Sequence, residues 1–318
     1  MSHISVLPTS HTHTLTQTGT RHERLVMFLG CGVNEGGEAF LVTEFMDGGS
    51  LDTALWINTT ATSVAVSSSW MQRVQILRDV ADGLSYLHLV HKSVHQDLKS
   101  PNILLERIAS NDDDDFNQTD MNVIYRAKIA DFGLSKIFTK GKTRINTTKE
   151  TQRSSKSAIR SANWVSLGHR GFVGTPRWMA PEMMKGKVNI GPSADIYSFG
   201  VVMWEVGAQR KPWSGLMDKR EIFKAVHEEK RKLPSLSSDN VLIGYEDLIR
   251  RCCEYKASLR PLIDVIQKDL QHLLEEAARF HHHNEKPKEE QDDDDDVGEE
   301  KIDVGLKGEL GVELPVIQ

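Results

Sequence analysis

Two kinds of hydrophobic periodicity alternate along the chain. Leu25 to Gly32 and Ala39 to Phe45 are short runs rich in apolar and β-forming residues, separated by the turn cluster Val33-Asn34-Glu35-Gly36-Gly37. This arrangement predicts a β-hairpin. Asp47-Gly48-Gly49-Ser50 then breaks the strand, and residues 57–69 read as a Thr/Ser/Ala loop. From Trp70 to Leu89 the period changes: Val74, Leu77, Val80, Ala81, Leu84 and Leu87 fall at helical spacing, with Ser69 placed to cap the helix. Ser193 to Val206 is apolar on nearly every face, which predicts a buried central helix. Further helices are expected at 218–230, 241–254 and 259–280.

Between these elements lie segments that cannot build a core. Residues 1–20 are polar and rich in His and Thr, and are expected to be disordered. Asn111 to Asp115 carries four consecutive Asp, and residues 136–170 hold nine Lys or Arg against the single acid Glu150. Residues 281–318 form a largely acidic tail with five Asp in a row, expected to be solvated chain. The 318 residues are 39% hydrophobic and 26% charged, ordinary for a globular protein. A net charge of -6 argues against nucleic acid as a partner. No apolar leader and no run of about 18 apolar residues is present, so no membrane span is expected. Cys31, Cys252 and Cys253 suit neither a zinc site nor a disulfide framework. A soluble, cytoplasmic protein is the resulting expectation.

Four separated segments carry chemistry. The first is His95-Gln96-Asp97-Leu98-Lys99-Ser100-Pro101-Asn102, followed by Ile103-Leu104-Leu105. The second is Ile129-Ala130-Asp131-Phe132-Gly133, and the third runs from Gly174-Thr175 to Ala180-Pro181-Glu182. The fourth is Asp195-Ile196-Tyr197-Ser198-Phe199-Gly200, with Arg260-Pro261 far downstream. Each alone is weak: an Asp-Phe-Gly is usually a turn, and an Ala-Pro-Glu is usually a helix start. Together, in this order, they resemble the signature set of the protein kinase superfamily from about Arg21 to Leu274.

The resemblance implies an α+β, protein-kinase-like fold over residues 21–280. Its parts would be a mainly helical C-lobe (47–280), an activation segment (131–182) and a residual β-hairpin, strands four and five, of a truncated N-lobe (21–46). It also implies phosphoryl transfer, which asks for an oriented hydroxyl and neutralised phosphate charge more than for covalent chemistry. Asp97 would then accept the substrate hydroxyl's proton and Lys99 would meet the γ-phosphate of ATP. Asn102 and Asp131 would hold Mg²⁺, for which oxygen ligands are suited. Thr43 would be the gatekeeper, the backbone of Glu44 and Met46 would bond adenine, and Leu104 would lie beneath it. His95, Phe132 and Phe28 match an apolar stack that ties the lobes together. Asp195 would anchor the loop 95–102, and Glu182 and Arg260 would form a buried ion pair.

Lys99 within Asp-Leu-Lys-Ser-Pro-Asn resembles serine/threonine kinases, whereas the hinge and Trp178-Met179 have a tyrosine-kinase flavour. The mixture resembles the tyrosine-kinase-like group, acting on protein Ser/Thr. The basic loop and the acidic tail are candidate surfaces for protein partners. The chain also departs from the pattern. No Gly-x-Gly-x-x-Gly stands before residue 25, no Lys before residue 92, and His13 falls where a helix Glu is expected. Gln96 replaces an Arg that would bind a loop phosphate. A fragment or incomplete gene model of a kinase is the expectation; the alternative is an inactive half-kinase, a pseudokinase scaffold.

Overall fold

A computed structural model of the chain describes residues 4–8, 21–56, 66, 69–108, 124–131, 136–137, 175–185, 190–236 and 241–284. All of them belong to the unit Met1–Asn284. Phe132, the Asp run at 111–115, most of the basic loop and the acidic tail beyond residue 284 lie outside the described residues.

The hairpin forms as β2 (Phe28–Val33) and β3 (Ala39–Glu44), antiparallel with Cys31 opposite Leu41. Its turn is closed by Asn34, whose Oδ1 accepts the Glu38 N–H at 2.8 Å. A third strand, β1 (Ile4–Pro8), pairs antiparallel with the other edge of β3, Ser5 opposite Thr43. This corrects the expectation of disorder across residues 1–20. Ile4-Ser5-Val6-Leu7 is β-forming, and the edge of β3 supplies the backbone partners that a short strand lacks by itself.

The helices supply the bulk. After α1 (Leu51–Trp56) comes α2 (Trp70–Ser85), which continues to Val90 through a widened turn. Ser69 caps α2: its side chain accepts the Gln72 N–H. Two short strands, β4 (Ser93–Val94) and β7 (Lys136–Ile137), pair with each other. Between them in sequence lies the ribbon of β5 (Ile103–Ile108) and β6 (Ile124–Ile129), antiparallel with Ile103 opposite Ile129. A one-turn helix, α3 (Pro181–Met184), begins at Pro181. The central helix is α4 (Ser193–Ala208), in which residues 194–206 are all buried. The apolar character on every face has this cause: neighbours surround the helix.

The remaining helices start later than periodicity alone suggests, and local residues explain it. α5 (Lys219–Phe223) opens on a capping box between Asp218 and Glu221 and widens through Glu228. α6 (Tyr245–Cys252) follows Gly244, whose φ of 83° an L side chain would disfavour. α7 (Ile263–Asn284) begins only after Arg260-Pro261, where the backbone is extended. Among the described residues no helix is long and apolar enough to cross a membrane.

Strand β6 is held on two sides. From α2, Gln72 both donates to the Tyr125 carbonyl (2.7 Å) and accepts its N–H (2.9 Å), and Asp79 accepts the Ala127 N–H (3.0 Å). From the other side, the Arg24 carbonyl accepts the Ile129 N–H and the Ile129 carbonyl accepts the Val26 N–H, both at 2.9 Å. Buried Asp79 also faces the Arg24 guanidinium at 3.2 Å. Burial pushes the Asp79 carboxyl up, opposed by the Ala127 N–H and by Arg24. Gly83 is required here: a Cβ would lie 2.9 Å from both the Arg24 carbonyl oxygen and Ile129.

Candidate active site

The loop 95–102 is fixed by its backbone. The Asp195 carboxylate, fully buried in the first turn of α4, accepts the His95 and Gln96 N–H groups, each at 2.8 Å. The same carboxylate lies 2.8 Å from His88 Nε2. Gln96 sits at φ 69°, an unusual backbone conformation for a non-glycine residue, held by this grip. His95 Nδ1 accepts the Asp97 N–H (3.2 Å), which leaves Nε2 as the donor to the Ala130 carbonyl (2.9 Å). One histidine thus ties the loop to the end of the ribbon.

Three polar side chains converge on that loop. Lys99 Nζ lies 2.6 Å from Asp97 Oδ2 and 3.3 Å from Thr175 Oγ1. Asn102 Nδ2 donates to the Asp97 carbonyl at 2.9 Å and approaches Asp97 Oδ2 at 3.5 Å. The Asn102 carbonyl accepts the Ala130 N–H (2.8 Å), so Asn102 and exposed Asp131 stand at the same end of the β5–β6 ribbon. Asp131 has φ 57°, the second non-glycine positive φ of the site. Among the described residues no three His, Cys, Asp or Glu side chains cluster as a metal site. Asn102 and Asp131 carry side-chain oxygens, the donor type that Mg²⁺ prefers.

The segment 43–50 crosses the same ribbon. Thr43 is 8% exposed on β3, opposite Phe28 and Ser5. The Glu44 N–H donates to the Met27 carbonyl (3.0 Å), and the carbonyl of buried Met46 accepts the Gly49 N–H (3.2 Å). Gly48 and Gly49 bond Leu105 through N–H and carbonyl respectively, and Ser50 bridges Leu104, which is half-buried on β5. Lys128, opposite Leu104 on β6, pairs with Glu44 (2.9 Å) and Glu106 (3.2 Å). Burial pulls the Lys128 ammonium down, but its hydrogen bonds and charge pairing with the two carboxylates outweigh that and hold it above its ordinary value.

Farther out, Arg260 makes a two-pronged bond with Glu182 at 2.6 and 2.8 Å; its guanidinium is fully buried and also donates to the Ser193 and Glu254 carbonyls. Arg260, Glu182 and Asp195 thus frame the site without entering it. The sequence reading assigned no role of their own to His88, Thr175, Arg24, Asp79, Lys128 and Glu205. One signal was available: Glu205 and Asp195 are the two acids of an otherwise apolar helix, and a buried carboxylate needs partners. The others act by contacts between segments far apart in sequence, which no local pattern displays.

The family described as protein tyrosine and serine/threonine kinase matches residues 9–270. That match starts upstream of Arg21, where the sequence resemblance began. The chain is similar to the dual specificity protein kinase shkD of Dictyostelium discoideum, at 29% identity over 81% of this chain and 28% of that protein. It is similar to the serine/threonine-protein kinase CTR1 of Arabidopsis thaliana, at 29% identity over 81% of this chain and 26% of that protein. It is also similar to a probable serine/threonine-protein kinase, SIS8, of the same plant, at 30% identity over 80% of this chain and 20% of the relative. The chain therefore spans between a fifth and about 28% of the length of these relatives. With the family match covering most of its length, the chain belongs to the protein tyrosine and serine/threonine kinase family.

Proposed function

We propose that this site transfers the γ-phosphate of ATP to Ser or Thr hydroxyls of protein substrates, as part of the tyrosine-kinase-like group. The family uses ATP and Mg²⁺ generally. The observation that carries the reading is the packing of Asp97, Lys99 and Asn102 within hydrogen-bond reach of one another, beside Asp131. Asp97 orients the substrate hydroxyl and takes its proton; Lys99 balances charge on the transferred phosphate. Asn102 and Asp131 hold Mg²⁺, which neutralises phosphate charge when bound. Adenine rests on Leu104 behind the Thr43 gatekeeper. Its edge uses the Glu44 carbonyl and the Met46 N–H, since the Glu44 N–H and Met46 carbonyl already have protein partners. His95, Glu182, Asp195 and Arg260 support this arrangement.

Radiolabelled phosphotransfer to a generic Ser/Thr substrate protein tests the reading. Asp97→Asn should lose at least about 100-fold in rate while nucleotide binding stays within about twofold, because the base is removed and the metal donors remain. Equal rates in the two proteins would remove Asp97 from the mechanism. The alternative reading is a partner-binding scaffold without turnover; the sequence supplies no Lys before Lys92 to pair with the phosphates. Calorimetric titration of the 318-residue chain with ATP and Mg²⁺ separates the readings, since micromolar binding with turnover excludes the scaffold.

A further inference from the structure

Glu205 lies in the last turn of α4 and is fully buried. Its two oxygens are divided between two segments. Oε1 accepts the Ser100 hydroxyl at 2.8 Å, and Oε2 accepts the Trp178 indole N–H at 2.9 Å. Ser100 is the residue after Lys99; Trp178 is three residues after Thr175. Lys99 and Thr175 are the two residues that meet at 3.3 Å in the site. Two turns earlier on α4, Ser198 donates to the Trp178 carbonyl at 2.8 Å. The helix therefore grips Trp178 by main chain and side chain, and reaches the loop with the same carboxyl group.

We propose that Glu205 is a positioning residue that couples the loop 97–102 to the segment 175–180, setting the register of Lys99 against Thr175. Its functional meaning rests on the phosphotransfer reading: the first segment carries the base, and the second stands beside it where a substrate hydroxyl would enter. The chemistry of the partners explains the residue type. An indole N–H only donates, and a serine hydroxyl placed between a helix and a loop needs an acceptor in this dry position. A carboxyl group takes both at once. Burial resists the charge and pushes the Glu205 carboxyl up to about 8, with the Trp178 and Ser100 hydrogen bonds working against that shift. Glutamine keeps the geometry: its oxygen accepts from the indole, and its amide donates to Ser100 Oγ, whose hydroxyl turns away. Methionine fills similar space and keeps neither bond.

Amide hydrogen exchange of the 318-residue chain, read by mass spectrometry, tests the coupling. Glu205→Met should speed exchange about tenfold in the peptides covering 97–102 and 175–180, leave α2 unchanged, and be rescued to within about twofold by Glu205→Gln. Two milder variants guard against simple unfolding. Ser100→Ala should loosen 175–180, and Trp178→Phe should loosen 97–102, because each bond acts through the shared carboxyl group. If each variant loosens only its own segment, or if α2 loosens by the same factor, the coupling is overturned. Where turnover is measured, Glu205→Met should lower kcat with the KM for ATP unchanged. Absence of turnover in the unsubstituted chain would defeat the phosphotransfer reading and leave the exchange result to decide the coupling.

Discussion

At its N-terminal end α4 presents Asp195, whose carboxylate takes two backbone N–H groups of the loop at 2.8 Å; ten residues on, Glu205 takes two side-chain donors. Both carboxyl groups are fully buried in one helix. The first end is braced further by Arg260, which bonds the Ser193 carbonyl and Glu182 together. Among the described residues the second end has no such ion pair: Lys211 acts on Glu205 through its field, and Asp52 opposes it. A backbone grip holds the loop whatever its side chains are. A side-chain grip depends on Ser100 and Trp178 in particular, and it titrates. The difference shows one rigid helix fixing a loop's conformation at one end and its alignment with a second segment at the other.

The largest test of this contrast strikes the braced end. Arg260→Ala strands Glu182, 12% exposed at its side chain, without its partner. Chemical denaturation should show a loss of about 3–5 kcal/mol. A change below about 0.5 kcal/mol, typical of neutral surface substitutions, would refute a buried brace.

Next comes the titrating end. The folded-state pKa of Glu205, about 8, lies above its unfolded value of 4.5, so the fold binds this proton more tightly. The stability it contributes is full below pH 4.5 and declines as the pH rises to about 8. Glu205→Gln has no proton to lose. The stability difference between variant and parent should therefore open in the variant's favour across that window, by at most about 1.4 kcal/mol per pH unit. Parallel profiles from pH 5 to 8 would show that Glu205 stays ionised.

A smaller effect is expected at the backbone grip. Asp195→Asn replaces one acceptor oxygen by an NH₂ group, which faces a loop N–H and leaves that donor unpaired. The cost should be about 1–3 kcal/mol in denaturant, with Ser100 and Trp178 unaffected. No measurable loss would mean the loop's conformation does not depend on Asp195. The smallest is a control on the surface: Arg250 bonds Asp247 with both side chains about half exposed. Arg250→Ala should cost less than about 1 kcal/mol and lose even that in high salt. A cost matching Arg260→Ala would erase the distinction between buried and exposed pairs.

Much of the fold was legible because its signals are local. The 3.6-residue period gave α2, the apolar run gave α4, and the turn cluster at 33–37 gave the β2–β3 hairpin. β1 was hidden because a five-residue strand is defined by the edge it pairs with, not by its own sequence. The motifs likewise named Asp97, Lys99, Asn102 and Asp131 by spacing, since one tight loop and one strand end are short-range objects.

The sequence by itself determined the family, the helical character of the larger part and the residue types of the candidate site. Tertiary structure decided how distant segments meet: that His95 faces Ala130, that Lys128 reaches Glu44, and that Glu205 stands between Ser100 and Trp178. The physical reason lies in range. Periodicity and turn chemistry are set by neighbours along the chain, whereas a buried hydrogen bond joins groups separated by 27 to 105 residues in the Glu205 case. Such a bond exists only once the helix that carries the acceptor has been excluded from water on every side.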